Sequence, residues 1–388
     1  MNVVVMFGGR SVEHDISIIS ALQAMEHFRA DSYTVYPVYI TRDNEFMWGE
    51  ELKNIKSFTH SDELLKHCER VVFTKDEGKV EMVSFPMKAE NPIICTVDVV
   101  FPIVHGTNVE DGILQGYLKT LDVPFVGCDV LSSAIGMDKY YMKVLLEAEG
   151  FPVLPGKRYS FSQYQSYEEL AAQIQSSFNY PIIVKPVNLG SSIGVSKVSS
   201  HKELLNALMI AHRYTSKILI ERAVIDLKEV NCSVLGDPDN CLVSECEEPV
   251  TSHDVLDFEE KYISGNKNGG SKGGSKGMAS LKRKIPAEID TEMKQTVQEI
   301  SRSVFQFLEC NGVIRIDYLI DKNTNCVWLN EINTIPGSLS FYLWEATGIT
   351  YEELIDRLIA LALRRYEDEK NIEYSFKSSV IGQLSSKG

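Results

Sequence analysis

The sequence predicts an open α/β domain followed by smaller α+β modules, and three observations carry this. Asn2 to Phe7 is an apolar run ending in Gly8-Gly9, after which Ile18, Leu22 and Met25 recur at helical spacing with Ile19 beside them, giving strand, glycine turn and helix. Pro181 to Val198, PIIVKPVNLGSSIGVSKV, reads as two strands joined by a Gly/Ser loop. Gly312 to Gly337, GVIRIDYLIDKNTNCVWLNEINTIPG, reads as a β-hairpin turning between Asp321 and Asn325.

The remaining elements follow in order. Tyr33 to Ile40 and Thr96 to Val104 are further apolar strands, with a hairpin around Asp76-Glu77-Gly78 inserted between them. A loop from His105 to Gly112 leads to a helix over Ile113 to Leu121, a short strand Val123 to Val126 and one helical stretch around Ser132 to Gly150, with the first domain ending at Cys128. Lys217 to Val224 adds a strand to the central module after a helix, and strands at Val230 to Leu235 and Leu242 to Cys246 come next. Ser264 to Gly277, SGNKNGGSKGGSKG, holds six glycines and three lysines, a composition that cannot bury apolar area. Such a segment is a bare linker or a lid whose lysines meet a polyphosphate. Beyond Pro286, a helix carries Met293, Val297, Ile300, Val304 and Leu308 on one face, then come the hairpin and a final helix over Tyr351 to Tyr366.

At 388 residues the chain has room for two or three domains, and 44% hydrophobic with 24% charged residues is ordinary for a globular protein. A net charge of -15 argues against nucleic acid or an acidic membrane surface as the main partner. Eight cysteines are scattered without a CxxC pair, which suits reduced, buried thiols and speaks against zinc or a disulfide framework. The N-terminus lacks a charged segment followed by a long apolar stretch, no 18-residue apolar run occurs, and a cytoplasmic location is expected.

Chemistry concentrates in a few places. Strand side chains alternate, so Arg315 and Asp317 share a face, as do Glu331 and Asn333. With the turn centred near Thr324, Asp317 falls opposite Glu331 and Arg315 opposite Asn333. Oxygen ligands suited to Mg²⁺ or Mn²⁺ then lie beside a permanent cation suited to an oxyanion; the plain alternative is a surface hairpin with charges on its wet face. In NLGSSIG, glycine and serine let the backbone approach a ligand closely, and Lys185 precedes them at the end of an apolar strand. Lys139, in AIGMDKYYMK, reads on its own as a solvated helical charge. HGTNVEDGILQG places His105, Glu110 and Asp111 at the carboxyl end of a strand, where open α/β sheets bind ligands, and FGGRSVEHDIS brings Glu13 on a second loop. Together the two loops can hold a zwitterion.

These residues carry a resemblance that runs nearly end to end. FGGRSVEHDIS, HGTNVEDGILQG, VPFVGCDVLSSAIGMDK, IIVKPVNLGSSIGVSKV, LIERAVIDLKEV, FEEKY, IRIDY and NEINTIPG occur in the order found in D-alanine:D-alanine ligases of the ATP-grasp superfamily, which the chain resembles. The resemblance implies three domains: an N-terminal α/β domain over 1–128, a central ATP-grasp lobe over 129–222 and a C-terminal lobe over 223–388 with a lid loop over 252–281. ATP is then clamped between the last two. It implies ATP contacts at Lys139, Lys185, Ser191, Ser192, Glu221, Ala223, Val224, Glu229, Lys261 and Asn330, and two Mg²⁺ (or Mn²⁺) ions on Asp317, Glu331 and Asn333. Glu13 would bind the first substrate's ammonium, with His105 near its carboxylate, and Ser191 and Tyr262 would link Glu13 into a triad that orders the lid. Arg315 and the Gly337 N–H would stabilise a tetrahedral oxyanion, and Lys261 would reach the transferred phosphate. The implied reaction joins two D-alanines through an acyl phosphate for peptidoglycan synthesis, and a homodimer is the family expectation.

Three departures bear on this. Val109 stands where the family motif has glycine, the lid is unusually rich in glycine and lysine, and SLSFYLWEATG after Pro336-Gly337 is shorter than the family segment that holds the second substrate's carboxylate. Ser338 and Ser340 are candidate replacements there. Phe341, Tyr342 and Trp344 either pack the core or admit another acceptor, so D-serine, D-lactate or another amino acid remain open as acceptors, as does a nucleotide sensor without catalysis.

Overall fold

The computed structural model describes residues 1–87, 90, 92–250 and 283–374. The readings placed on Lys261, Tyr262 and the whole lid loop over 252–281 therefore lie outside the described residues.

The first sheet has seven strands: β1 (Asn2–Gly8), β2 (Thr34–Ile40), β3 (Phe46–Trp48), β4 (Glu69–Asp76), β5 (Lys79–Ser84), β6 (Ile93–Val97) and β7 (Val99–Val104), in the order β6-β5-β4-β3-β2-β1-β7. β1 pairs in parallel with β2 and β7, and the rest of the sheet is antiparallel. The carboxyl end of the parallel part thus opens onto the loops after β1 and β7, which bear Glu13 and His105. The expected hairpin at Asp76-Glu77-Gly78 joins β4 and β5, and Glu77 and Gly78 both take positive φ. Helices α1 (His14–Met25), the single turn α2 (Ser61–Leu64) and α3 (Ile113–Leu121) belong to this part.

Three expectations are corrected here. Thr96 to Val104 is not one strand, because Asp98 separates β6, which ends at Val97, from β7, which begins at Val99. Val123 to Val126 forms no full strand: Phe125 alone bridges to Val100, because Pro124 has no N–H to donate. The single helix around 132–150 is two, α4 (Val130–Met137) and α5 (Lys139–Ala148). Asp138 leaves the helical region between them and accepts hydrogen bonds from the N–H groups of Tyr140 and Tyr141, an N-cap that restarts the chain in a new direction.

The second sheet, antiparallel, is β8 (Gly156–Ser160), β9 (Ile182–Pro186), β10 (Ser196–Val198) and β11 (Lys217–Arg222) in the order β10-β9-β11-β8. Helices α6 (Tyr167–Gln175) and α7 (His201–His212) bury Leu170, Ile174, Leu204 and Leu208 into its core. The third sheet, also antiparallel, is β12 (Leu227–Gly236), β13 (Cys241–Pro249), β14 (Arg283–Lys284), β15 (Gly312–Asp321) and β16 (Cys326–Asn333), ordered β14-β13-β12-β15-β16. The amphipathic helix α8 (Thr291–Phe307) covers it with Val297, Val304 and Phe305, and Met142 and Leu146 of α5 pack into the same core. After a short helix α9 (Phe341–Ala346), α10 (Tyr351–Lys370) returns to the first sheet: Leu354, Ile355, Leu358 and Ile359 share a core with β1 and β7. Arg365 then ties α10 to the carbonyls of Phe125 and Gly127. All eight cysteines are free thiols; Cys95, Cys128, Cys232, Cys246 and Cys310 are buried as expected, whereas Cys68 and Cys241 are half-buried and Cys326 is exposed.

Candidate active site

The β15–β16 hairpin has the expected register, with Asp317 paired to Glu331 and Arg315 to Asn333. The row extends further, since Asn231 on β12 pairs with Asp317 and Glu247 on β13 pairs with Asn231. A bulge between Asp317 and Tyr318 shifts the pairing, so Tyr318 faces Leu329 and Asn330 is the extra residue. Arg315 grips Asp317 with two hydrogen bonds, Nε to Oδ1 at 2.6 Å and a terminal nitrogen to Oδ2 at 2.7 Å, while Asn333 Nδ2 donates to Asp317 Oδ2 at 3.2 Å.

Opposite this row stand three buried lysines. Lys139, the first residue of α5, places Nζ 3.1 Å from Glu331 Oε2 and donates to Leu189 O at 2.7 Å. Lys143 lies one turn later on the same helical face, closes on Glu221 Oε1 as an ion pair, and is only 4% exposed. Lys185 at the end of β9 contacts Glu221 Oε2 at 2.5 Å and donates to Asn330 Oδ1 at 3.1 Å. The bulge thus supplies the amide that joins the second sheet to the third. Burial pushes the Lys143 ammonium down to about 8 against the pull of Glu221, with Lys185 adding to the depression. Burial also works to raise the Glu221 carboxyl, but Lys143 and Lys185 more than offset it and hold the group below its ordinary value. A cavity of about 520 Å³ lies between the second and third sheets, lined among others by Lys139, Lys185, Glu221, Asp317, Asn330 and Glu331, with Leu154, Ile183, Val224 and Leu319 as apolar walls.

Glu13 is held where three loops meet. Ser191 Oγ donates to Glu13 Oε1. A side chain at Gly106 or Gly190 would meet the carboxylate, at 2.8 Å and 2.5 Å from Oε2, and so displace Glu13; Gly106 also takes a positive φ of 82°. His105 Nδ1 faces Ile335 O at 2.9 Å, a pure acceptor, so Nδ1 carries the proton and Nε2 accepts from Ser20 Oγ at 3.0 Å. Ser20 Oγ in turn accepts from the Ser338 N–H at 3.0 Å. Glu110 accepts from the N–H groups of Gly106 and Ile335, both at 2.9 Å. Burial, with the Glu13 charge behind it, pushes its carboxyl up to about 8. The loop after β16 is therefore anchored to the first sheet through His105, Glu110 and α1.

Comparison with known proteins agrees with this geometry. The family model D-ala D-ala ligase N-terminus matches residues 2–128, and D-ala D-ala ligase C-terminus matches residues 145–360. The chain belongs to the D-alanine–D-alanine ligase family. A D-alanine–D-alanine ligase from Thermosipho melanesiensis is 37% identical over 95% of this chain and 96% of its own. Among solved structures, the D-alanine-D-alanine ligase from Coxiella burnetii superposes with a TM-score of 0.77 at 26% identity, covering 100% of this chain and 98% of its own. The VanG D-Ala:D-Ser ligase from Enterococcus faecalis gives 0.74 at 30% identity, covering 93% and 99%. The fold is ATP-grasp.

Most residues that the family resemblance marks for nucleotide or metal fall in the one cavity: Lys139, Lys185, Ser192, Glu221, Val224, Glu229, Asn330, Asp317 and Glu331 all line it. Asn333 reaches it through Asp317, Ser191 faces Glu13, and Ala223 is buried beside the cavity with its N–H on Pro181 O. Lys139 is no solvated charge but 7% exposed. His105 has both ring nitrogens engaged by Ile335 and Ser20. Gly337, Ser338 and Ser340 follow the bridged loop; Ser338 Oγ donates to Gln23 Oε1 at 2.5 Å, and Ser340 Oγ is buried with no hydrogen-bond partner among the described residues. Trp344 and Leu343 are wholly buried core, whereas Tyr342 donates to Glu247 Oε1 at 3.0 Å with the Arg283 guanidinium 3.5 Å above its ring. Val109, at the family's glycine position, packs against Gly9. Lys143 and Glu247 were not anticipated, although the spacing of Lys139 and Lys143 in DKYYMK already puts both on one helical face.

Proposed function

We propose that the chain is an ATP-dependent, ADP-forming ligase that joins two D-alanines into D-alanyl-D-alanine for peptidoglycan precursors. The observation that carries this is the convergence, in one cavity, of the Asp317–Glu331 pair from the third sheet with Lys139 and Lys185 from the other wall. Lysines there neutralise a triphosphate, and the apolar walls with Glu221 accept a nucleobase.

The donor set fits a hard divalent cation. Asp317 and Glu331 offer carboxylate oxygens and Asn333 an amide oxygen, and so few protein donors suit an ion that keeps waters and shares phosphate oxygens. Two Mg²⁺ or Mn²⁺ ions on these residues would screen the charge between carboxylate and triphosphate. Glu13, fixed by Ser191 and the two glycines, binds the ammonium of the first D-alanine. The carboxylate oxygen of this first D-alanine attacks the γ-phosphorus as the bond to ADP breaks, giving D-alanyl phosphate. The amine of the second D-alanine attacks the acyl carbon, phosphate leaves and the nitrogen loses a proton, with Arg315 and the Gly337 N–H facing the tetrahedral oxyanion. His105 serves this indirectly, by holding the Ile335–Ser338 loop that carries Gly337. Lys261 and Tyr262 take the family's roles at the phosphate and the lid.

The division into 1–128, 129–222 and 223–388, a homodimer, a cytoplasmic setting and no nucleic-acid partner complete the proposal; among the described residues no helix is long and apolar enough to cross a membrane. The test is product mass after incubation with ATP, Mg²⁺ and D-alanine, alone and against D-serine, D-lactate and L-amino acids. D-Alanyl-D-alanine with one ADP per dipeptide is expected. Ligation only to another acceptor would assign the Ser338–Ser340 segment to a different substrate, and no product with any acceptor would overturn the ligase reading.

A further inference from the structure

Lys143 is a buried ammonium that the proposed chemistry leaves without a task. Its Nζ closes on Glu221 Oε1 as an ion pair; Lys185 holds Oε2 of the same carboxylate. Lys143 comes from α5 and Lys185 from β9, and Lys139, one turn back on α5, is the other cation acting on Lys143. Glu221, at 1% exposure, therefore carries two cations where one suffices for neutrality. Lys185 also reaches Asn330 across the cavity, so it is the one of the two that stands at the cavity wall. A carboxylate stripped of every cation at this depth takes up a proton instead.

Resting on the nucleotide-binding reading above, we infer that Lys143 is a positioning residue: it keeps Glu221 ionised and in place when Lys185 turns from it to a nucleotide's phosphates. Lys185 is shared between Glu221 and the polyphosphate, and Lys143 makes that exchange free of proton transfer. Without Lys143, nucleotide binding draws a proton onto Glu221.

The experiment is calorimetric titration with the Mg²⁺ complex of the non-hydrolysable ATP analogue AMP-PNP, in buffers of different ionisation enthalpy. At about pH 7 the wild-type protein takes up almost no proton, whereas Lys143→Met takes up about one per nucleotide, and its affinity falls about tenfold per pH unit as pH rises. The double variant Lys143→Met/Glu221→Gln, which has no charge to balance, binds without proton uptake. It also carries the test if the single variant does not fold, because proton uptake by the double variant would place the titrating group elsewhere and overturn the inference. Equal proton uptake by wild type and Lys143→Met overturns it as well and leaves the ligase reading standing. Failure of the wild-type protein to bind the analogue overturns both.

Discussion

His105 and Glu110 stand side by side on the loop after β7, and burial moves them in opposite directions. Burial pushes the His105 imidazole down to about 4, against its hydrogen bond to Ile335 and with a smaller push from Arg315. A base whose folded value lies below its unfolded one stabilises the fold above the unfolded value, and that contribution is lost as pH falls through the window from about 6.5 to about 4, up to about 3 kcal/mol in all. Glu110, raised to about 8, acts on the other side: its contribution declines as pH climbs from about 4.5 to about 8. Thermal unfolding across pH should show His105→Gln flattening the acid limb of the wild-type curve; parallel curves would contradict a buried neutral imidazole. At this scale the acids of the hairpin were readable because strand alternation and a turn position fix which side chains meet. Lys143 was not, because a lysine on a helix is solvated or buried according to what packs on that face, and the packing partner, Glu221, is 78 positions further along the chain.

The turn after Pro336-Gly337 holds three consecutive residues in the left-handed region, Ser338, Leu339 and Ser340, with φ of 50°, 56° and 50°. None is glycine, so the segment stores strain of about 1 kcal/mol per residue. The first sheet supports it through the bonds of Ser338 to Ser20 and Gln23 and of Ile335 to Glu110. Ser340→Gly removes both the left-handed strain of a non-glycine residue and a buried hydroxyl without a partner among the described residues, and should raise stability by about 1 kcal/mol in denaturant unfolding. A loss of stability would show that Ser340 is not strained. The sequence announced this hairpin's register at Asp317 and Arg315 but not the bulge at Asn330, which sets Leu329 and Glu331, two positions apart, on opposite faces where plain alternation would put them on one. The break at Asp138 was visible in retrospect as an N-cap residue inside an apolar helical pattern.

At the scale of the molecule, α10 closes the chain onto its own first sheet, with Leu358 wholly buried among β1, β7 and the Gly127–Gly312 contact. An amphipathic helix records that one face is covered but not by which sheet, so this return was beyond the sequence, whereas the order of strands and helices was largely within it. Leu358→Ala should cost about 2–5 kcal/mol and lower the unfolding of the first and third sheets together, in one transition. Two separated transitions would mean that α10 does not couple them. The central claim is that one nucleotide is gripped by groups from two different sheets. Titration of Mg²⁺·ADP into Lys185→Met, altered in the second sheet, and Glu331→Gln, altered in the third, tests it most directly. Both variants are expected to bind at least about tenfold more weakly than wild type, a loss of about 1.4 kcal/mol each; wild-type affinity in either one would contradict a site shared between the sheets.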